Sequence, residues 1–109
     1  MTTVQTRMIR AAIVGATGYT GSELVRILAR HPQVELVTIT SERRAGEKFT
    51  DVHPHFHGIV PHRLESVETL RSHELDVVFL ALPHGVSMDF VKKFRDASFR
   101  IIDLSGAVS

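Results

Sequence analysis

Apolar residues recur along this chain in two rhythms: short runs that end at glycine or proline, and stretches with a helical repeat. Ile9-Arg10-Ala11-Ala12-Ile13-Val14 is a nearly unbroken apolar run closed by Gly15, which predicts a buried parallel strand. Over 19–30 the positions Leu24, Val25, Ile27 and Leu28 repeat with helical spacing, and His31-Pro32 stops the pattern. Thr20 and Glu23 fit a capping box at the start of this helix, and a start at Thr17 or Gly18 fits equally well. Val34 to Thr40 reads as a second strand with partial alternation. The strongly apolar run 76–82 predicts a strand at the sheet centre, broken by Pro83-His84-Gly85. A short helix is expected over 66–73, another over 86–96 with Val86, Phe90, Val91 and Phe94 on one face, and a fourth strand over 100–104. Residues 41–62 show no periodicity and contain Gly46, Pro54, Gly58 and Pro61, so they predict a long functional loop with short structure of its own.

Strands alternating with helices imply right-handed βαβ units and a parallel sheet. The expected fold is α/β, a Rossmann-type doubly wound parallel sheet of about four strands in the order 3-2-1-4. It is incomplete relative to a full dinucleotide domain. Residues 1–8 are expected to be a disordered lead-in and 9–109 the domain. A net charge of +1 gives no electrostatic reason to expect nucleic acid as a partner. No apolar run approaches the ~20 residues of a membrane span, and nothing resembles a signal peptide, so a cytoplasmic protein without membrane partners is expected. The chain has no cysteine, which excludes a disulfide, a thiolate zinc site and a thiol nucleophile within these residues.

The candidate chemistry begins at Gly15-Ala16-Thr17-Gly18-Tyr19-Thr20-Gly21, between the first strand and the first helix. Glycines at these intervals suit a nucleotide diphosphate. Gly15 permits a sharp turn, Gly18 lets backbone approach the phosphates, and Gly21 lets helix and strand pack closely. The helix then points its unpaired N–H groups at the anion. Thr17, where many such sites have another glycine, either donates to a phosphate or caps the helix.

Dinucleotide sites for NAD carry an acidic residue about twenty residues after the loop. Here that place reads Ser41-Glu42-Arg43-Arg44. A hydroxyl and two guanidinium groups suit a 2′-phosphate, so NADP is the expected cofactor, with Glu42 the residue that fits least well. Pro83, His84 and Gly85 follow the central strand at the edge where ligands bind. His84 either faces the cofactor or helps cap the next helix. Asp103 and Ser105 end the fourth strand on the same edge, and Ser105 is taken as a cofactor contact. Lys92, Lys93 and Arg95 read as a solvated helix face. His53, His55 and His57 have no carboxylate or cysteine at ligand spacing, and Pro54 disturbs an extended run. They read as a surface or domain-contact loop, not a metal site.

Taken together, the glycine loop through Ser22-Glu23-Leu24 closely resembles the start of the N-acetyl-gamma-glutamyl-phosphate reductases. The match continues through His31-Pro32, Thr40-Ser41, Pro54-His55, the run Val78-Phe79-Leu80-Ala81-Leu82-Pro83-His84-Gly85-Val86-Ser87, and Ile102-Asp103-Leu104-Ser105. The resemblance implies an NADP-dependent reductase of arginine biosynthesis. Such enzymes form a thioester from an acyl phosphate at a cysteine, with loss of phosphate. NADPH then reduces the thioester to a semialdehyde, with a histidine as acid/base. The family continues past Asp-Leu-Ser with Ala-Asp-Phe-Arg, where this chain reads Gly106-Ala107-Val108-Ser109. No residue here matches the family's catalytic cysteine or histidine. None of the seven histidines therefore takes a catalytic role, and the catalytic and dimerisation domain is expected to lie outside these residues. The expected partner is a small-molecule acyl phosphate reached through that domain, in a homo-oligomeric enzyme. This chain alone is expected to bind NADP(H) without turnover.

Two other enzyme classes open similarly. A short-chain dehydrogenase needs a Tyr-x-x-x-Lys pair, and the sole tyrosine, Tyr19, lies in the glycine loop. An aspartate-semialdehyde dehydrogenase shares the loop plan but fits the Leu82-Pro83-His84-Gly85 stretch less well. A non-catalytic NADP-binding module is the remaining alternative.

Overall fold

Strand β1 (Ile9–Val14) forms where side chains can bury on both sides. Ala11, Ala12, Ile13 and Val14 are each at most 1% exposed. In the computed structural model, which describes residues 8–104, β1 lies between two parallel neighbours. The expected lead-in, apart from Met8, and Ser105 lie outside the described residues. Strands β2 (Val34–Thr40), β3 (Val77–Leu80) and β4 (Arg100–Asp103) complete an all-parallel sheet in the order β2-β1-β3-β4. This is the Rossmann-type fold read from the pattern of elements.

The strand order differs from 3-2-1-4. That reading places the third strand outside β2, whereas β3 lies on the far side of β1. The position outside β2 is held only by an isolated parallel bridge from Thr40 to Glu65. Pro54, Gly58 and Pro61 interrupt the chain before that bridge, so no ladder extends from it. The chain then crosses to the other side of β1, and the apolar run Val77–Leu80 takes the next sheet position.

The two faces of the sheet are covered by different elements. Helix α1 (Tyr19–Ala29), the one-turn helix α2 (Phe49–Val52) and the 3₁₀ turn Pro54–Phe56 cover one face with Val25, Leu28, Phe49 and Phe56, packed against Ile13, Leu36 and Ile39. Helix α3 (His84–Lys93) covers the other with Phe90, against Ala12, Val14, Val78 and Leu80. The pairing register shifts between Ala11 and Ala12, which leaves Val37 as an extra residue in β2. This irregularity puts Leu36 and Ile39, three residues apart, on the same face, and it explains why alternation in this strand is only partial.

The helix expected over 66–73 is instead two 3₁₀ turns, Val67–Thr69 and Ser72–Glu74. Leu70 between them is extended, and this lets Val67, Leu70 and Leu75 all turn onto the α3 face. At the edge opposite the glycine loop, the Arg10 backbone N–H donates to Asp76 Oδ2 at 2.8 Å and its Nε donates to the Glu74 carbonyl at 2.6 Å. These bonds tie β1 to the start of β3.

Candidate functional site

The loop from Gly15 to Gly21 sits at the carboxyl ends of β1 and β2. The backbone N–H groups of Gly15 and Ala16 both donate to the Thr40 carbonyl, at 3.1 and 2.9 Å, so the chain folds over the end of β2. Gly15 has φ +86°, a left-handed conformation that a side chain disfavours, and a Cβ there would stand 2.6 Å from the Ala81 carbonyl oxygen. At Gly21 a Cβ would stand 2.1 Å from the Gly15 carbonyl oxygen, so this glycine lets α1 lie directly on the loop. Gly18 is different, since a Cβ there would meet nothing within 4 Å. Its lack of a side chain is not needed for packing inside the protein.

Gly18 is also the N-cap of α1, so the capping box at Thr20 and Glu23 does not form. No side chain caps the helix, and its first turn holds no acidic residue. Glu23 is instead turned toward Arg26, with Nε donating at 2.8 Å, and that guanidinium holds the exposed Glu23 carboxyl below its ordinary pKa. The first N–H groups of α1 are thus left to solvent or a ligand. Tyr19, with an 84% exposed side chain, and Thr20 open the helix.

At the end of β2, Ser41 is buried and its Oγ lies 3.4 Å from Thr17 Oγ1, long for a hydroxyl hydrogen bond. Thr17, Arg43, Arg44 and Glu47 line a polar cleft of about 370 Å³. Arg44 Nη1 meets Glu47 Oε1 at 3.5 Å, both half exposed, while Arg43 makes no ion pair among the described residues. Glu42 does not line this cleft: its carboxylate accepts from Ser66 Oγ at 3.2 Å and from the Val67 N–H at 2.6 Å, and the residue lines a neighbouring cleft instead. The residue that fitted a 2′-phosphate least well is held by the 3₁₀ turn at 67–69.

A second, apolar cleft of about 230 Å³ lies beside it, between Val14 and Thr40 on one side and Val67, Leu82, Val86 and Phe90 on the other. Thr40 is 1% exposed and its hydroxyl has no hydrogen-bond partner among the described residues. Sequence reasoning missed this cleft, because its walls come from four separate segments. Lys93 lines it too and pairs with Glu68, so the face read as solvated supplies a wall. Pro83 is the N-cap of α3, and the Ser87 N–H donates to its carbonyl at 2.9 Å. His84 is the first helical residue and not the cap; its side chain lies outside the description. Gly85, exposed, follows it. Asp103 ties β4 to α3 by accepting from the buried Ser87 hydroxyl at 2.8 Å. Ser105 lies outside the described residues.

The histidine-rich loop is only partly a surface loop. His55 and His57 are exposed, whereas His53 is half-buried and its Nε2 lies 3.0 Å from the Thr17 carbonyl oxygen. His62 Nε2 likewise meets the Leu36 carbonyl at 2.6 Å. Among the described residues no three His, Asp or Glu side chains gather around a common metal position.

A parallel sheet with a glycine loop over its carboxyl edge and an uncapped helix behind it is the architecture of dinucleotide binding. A family model described as the NAD-binding domain of semialdehyde dehydrogenase matches residues 10–109. The chain belongs to that family. Membership makes it a nicotinamide-dinucleotide-binding domain within a group of oxidoreductases. The chain is 50% identical over 98 residues to the N-acetyl-gamma-glutamyl-phosphate reductase of Heliobacterium modesticaldum, covering 89% of this chain and 28% of that protein. It is 49% identical over 98 residues to a Thermococcus kodakarensis protein provisionally named a LysW-L-2-aminoadipate/LysW-L-glutamate phosphate reductase, covering 90% of this chain and 28% of that protein. Among solved structures, aspartate semialdehyde dehydrogenase with NADP from Candida albicans superposes with a TM-score of 0.73 at 25% identity, covering 88% of this chain and 29% of that one. The chain thus spans under a third of the length of the relatives it matches. No helix among the described residues is long and apolar enough to cross a membrane.

Proposed function

We propose that this chain is the NADP-binding domain of an N-acetyl-gamma-glutamyl-phosphate reductase of arginine biosynthesis. In this reading it holds the hydride donor for NADPH-dependent reduction of an acyl phosphate to a semialdehyde. The reductase names of its relatives and the stretch Leu82-Pro83-His84-Gly85 support the assignment. When bound, NADPH supplies the hydride. The chain's own residues bind and orient. Thr17, Gly18, Tyr19, Thr20 and Gly21 carry the diphosphate at the start of α1, and Gly15, whose own N–H is taken by the Thr40 carbonyl, turns the chain beneath it. The apolar cleft takes a base, with the unpartnered Thr40 hydroxyl at its rim. Pro83 and Gly85 stand at the edge assigned to the nicotinamide, and His84 and Ser105 are assigned to the cofactor from the sequence alone. With no cysteine among its 109 residues, the chain contributes the cofactor site and not the thiol, so by itself it binds without turnover.

The observation that carries NADP over NAD is the polar cleft of Thr17, Arg43 and Arg44 beside Ser41, together with the engagement of Glu42 by Ser66 and Val67. Arg44 would have to leave Glu47, but an exposed pair of this kind contributes under about 1 kcal/mol. Charge-assisted bonds to a 2′-phosphate contribute more, about 1.5–3 kcal/mol each. Titration with NADPH and NADH should therefore give at least about tenfold tighter binding of NADPH. The double substitution Arg43→Ala with Arg44→Ala should bring the two affinities together. Equal affinities in the unsubstituted protein, or an unchanged preference in the double variant, would refute the 2′-phosphate assignment.

A further inference from the structure

We infer that His53 is a positioning residue for the dinucleotide phosphates, acting through the Thr17 carbonyl; the inference rests on the dinucleotide reading above. His53 Nε2 lies 3.0 Å from Thr17 O, a contact between residues 36 apart in sequence. A carbonyl oxygen can only accept, so Nε2 carries the proton. The ring is held from behind. Its centroid lies 5.2 Å from that of Phe49 and 6.2 Å from that of Phe56, and both phenylalanines are buried in the core beneath α1. The imidazole is therefore a fixed donor.

The Thr17–Gly18 peptide is trans, so its C=O and N–H point in opposite directions. Holding the Thr17 oxygen toward His53 turns the Gly18 N–H away from it. That N–H makes no hydrogen bond to a described residue, and the space where a Gly18 Cβ would stand is empty to 4 Å. A fixed, unpartnered donor beside open space, at the start of a helix without a capping side chain, suits a phosphate oxygen. His53 thus sets the aim of the donor without touching the ligand. Without it, the peptide plane could rotate, and part of the binding energy would go into ordering it.

Two substitutions separate this role from simple packing. His53→Gln keeps an N–H donor at similar reach, while His53→Met keeps bulk against Phe49 and Phe56 without one. The purified protein and both variants are titrated with NADPH and NADH by nucleotide fluorescence and melted without nucleotide. The Met variant should lose about 3- to 10-fold in affinity for both dinucleotides, with their ratio unchanged, because the effect lies at the diphosphate. The Gln variant should stay within about twofold of the unsubstituted protein, and both should unfold at similar temperatures. A Met variant that binds as tightly as the unsubstituted protein overturns the inference. So does a Gln variant no better than Met, or a change in the NADPH-to-NADH ratio. If the unsubstituted protein binds neither dinucleotide, the dinucleotide reading itself falls, and this inference with it.

Discussion

Replacing Gly21 with alanine tests the contact that seats α1 on the glycine loop. The added Cβ would stand 2.1 Å from the Gly15 carbonyl oxygen and 2.8 Å from Ala16 Cα, where ordinary contact begins near 3.4 Å. Both neighbours are backbone, so relief requires the loop and the helix to separate by more than 1 Å at that point. Alanine in a helix interior is intrinsically better than glycine by about 1 kcal/mol, which opposes the clash. Overpacking typically costs about 1–3 kcal/mol, and a clash with rigid backbone belongs at or above the upper end. The balance is a net destabilisation of about 2 kcal/mol, equivalent to a fall in Tm of roughly 8–16 °C for a domain of this size. Thermal unfolding followed by circular dichroism, with a urea midpoint and slope as a check on two-state behaviour, measures it. A Gly21→Ala protein that melts within about 3 °C of the parent would refute the reasoning, because propensity would then have outweighed the clash.

Gly18→Ala should behave in the opposite way. With open space around the new Cβ, the melting temperature falls by no more than about 5 °C, while dinucleotide affinity falls at least about tenfold; unchanged affinity in a fluorescence titration counts against Gly18 as the point of phosphate approach. Glu23→Gln probes the pair with Arg26. The Glu23 pKa is lowered in the fold, so its contribution is present above the unfolded carboxylate value and is lost as pH falls through the folded one. Since both groups are exposed, the melting temperature at pH 7 should change by less than about 2 °C, and any difference should vanish in acid; a fall above about 5 °C at pH 7 contradicts a weak surface pair.

Much of the framework was legible because it is local. Ile9–Val14 and Val34–Thr40 have the bounds that their apolar runs suggest, and Gly15 turns the chain and Gly21 packs against it as their spacing implies. Of the starts that the sequence leaves open for α1, the one at Gly18 is realised, and Glu23 pairs with Arg26 one turn on instead of closing a capping box. The failures share a physical origin in contacts distant along the chain. The strand order was misjudged because one bridge at Glu65 occupies the place expected for a strand. Residues 41–62 lack periodicity because Phe49, Phe56 and Val60 each reach the core from a different turn. Glu42 could not be oriented without Ser66, or His53 without Thr17.

The bare start of α1 has a consequence for how the protein's stability is regulated. A helix that begins at glycine without a capping side chain forgoes about 1 kcal/mol that serine or aspartate would provide. If a diphosphate binds there, as proposed above, it would complete that end of the helix, and part of the folding free energy would be deferred until the nucleotide arrives. At a hundredfold excess over its Kd, such a ligand stabilises the folded form by about 2.7 kcal/mol, more than the missing cap. The same backbone that recognises the nucleotide would then couple the amount of folded protein to the supply of its cofactor, so that cells depleted of the dinucleotide would also lose the protein that uses it.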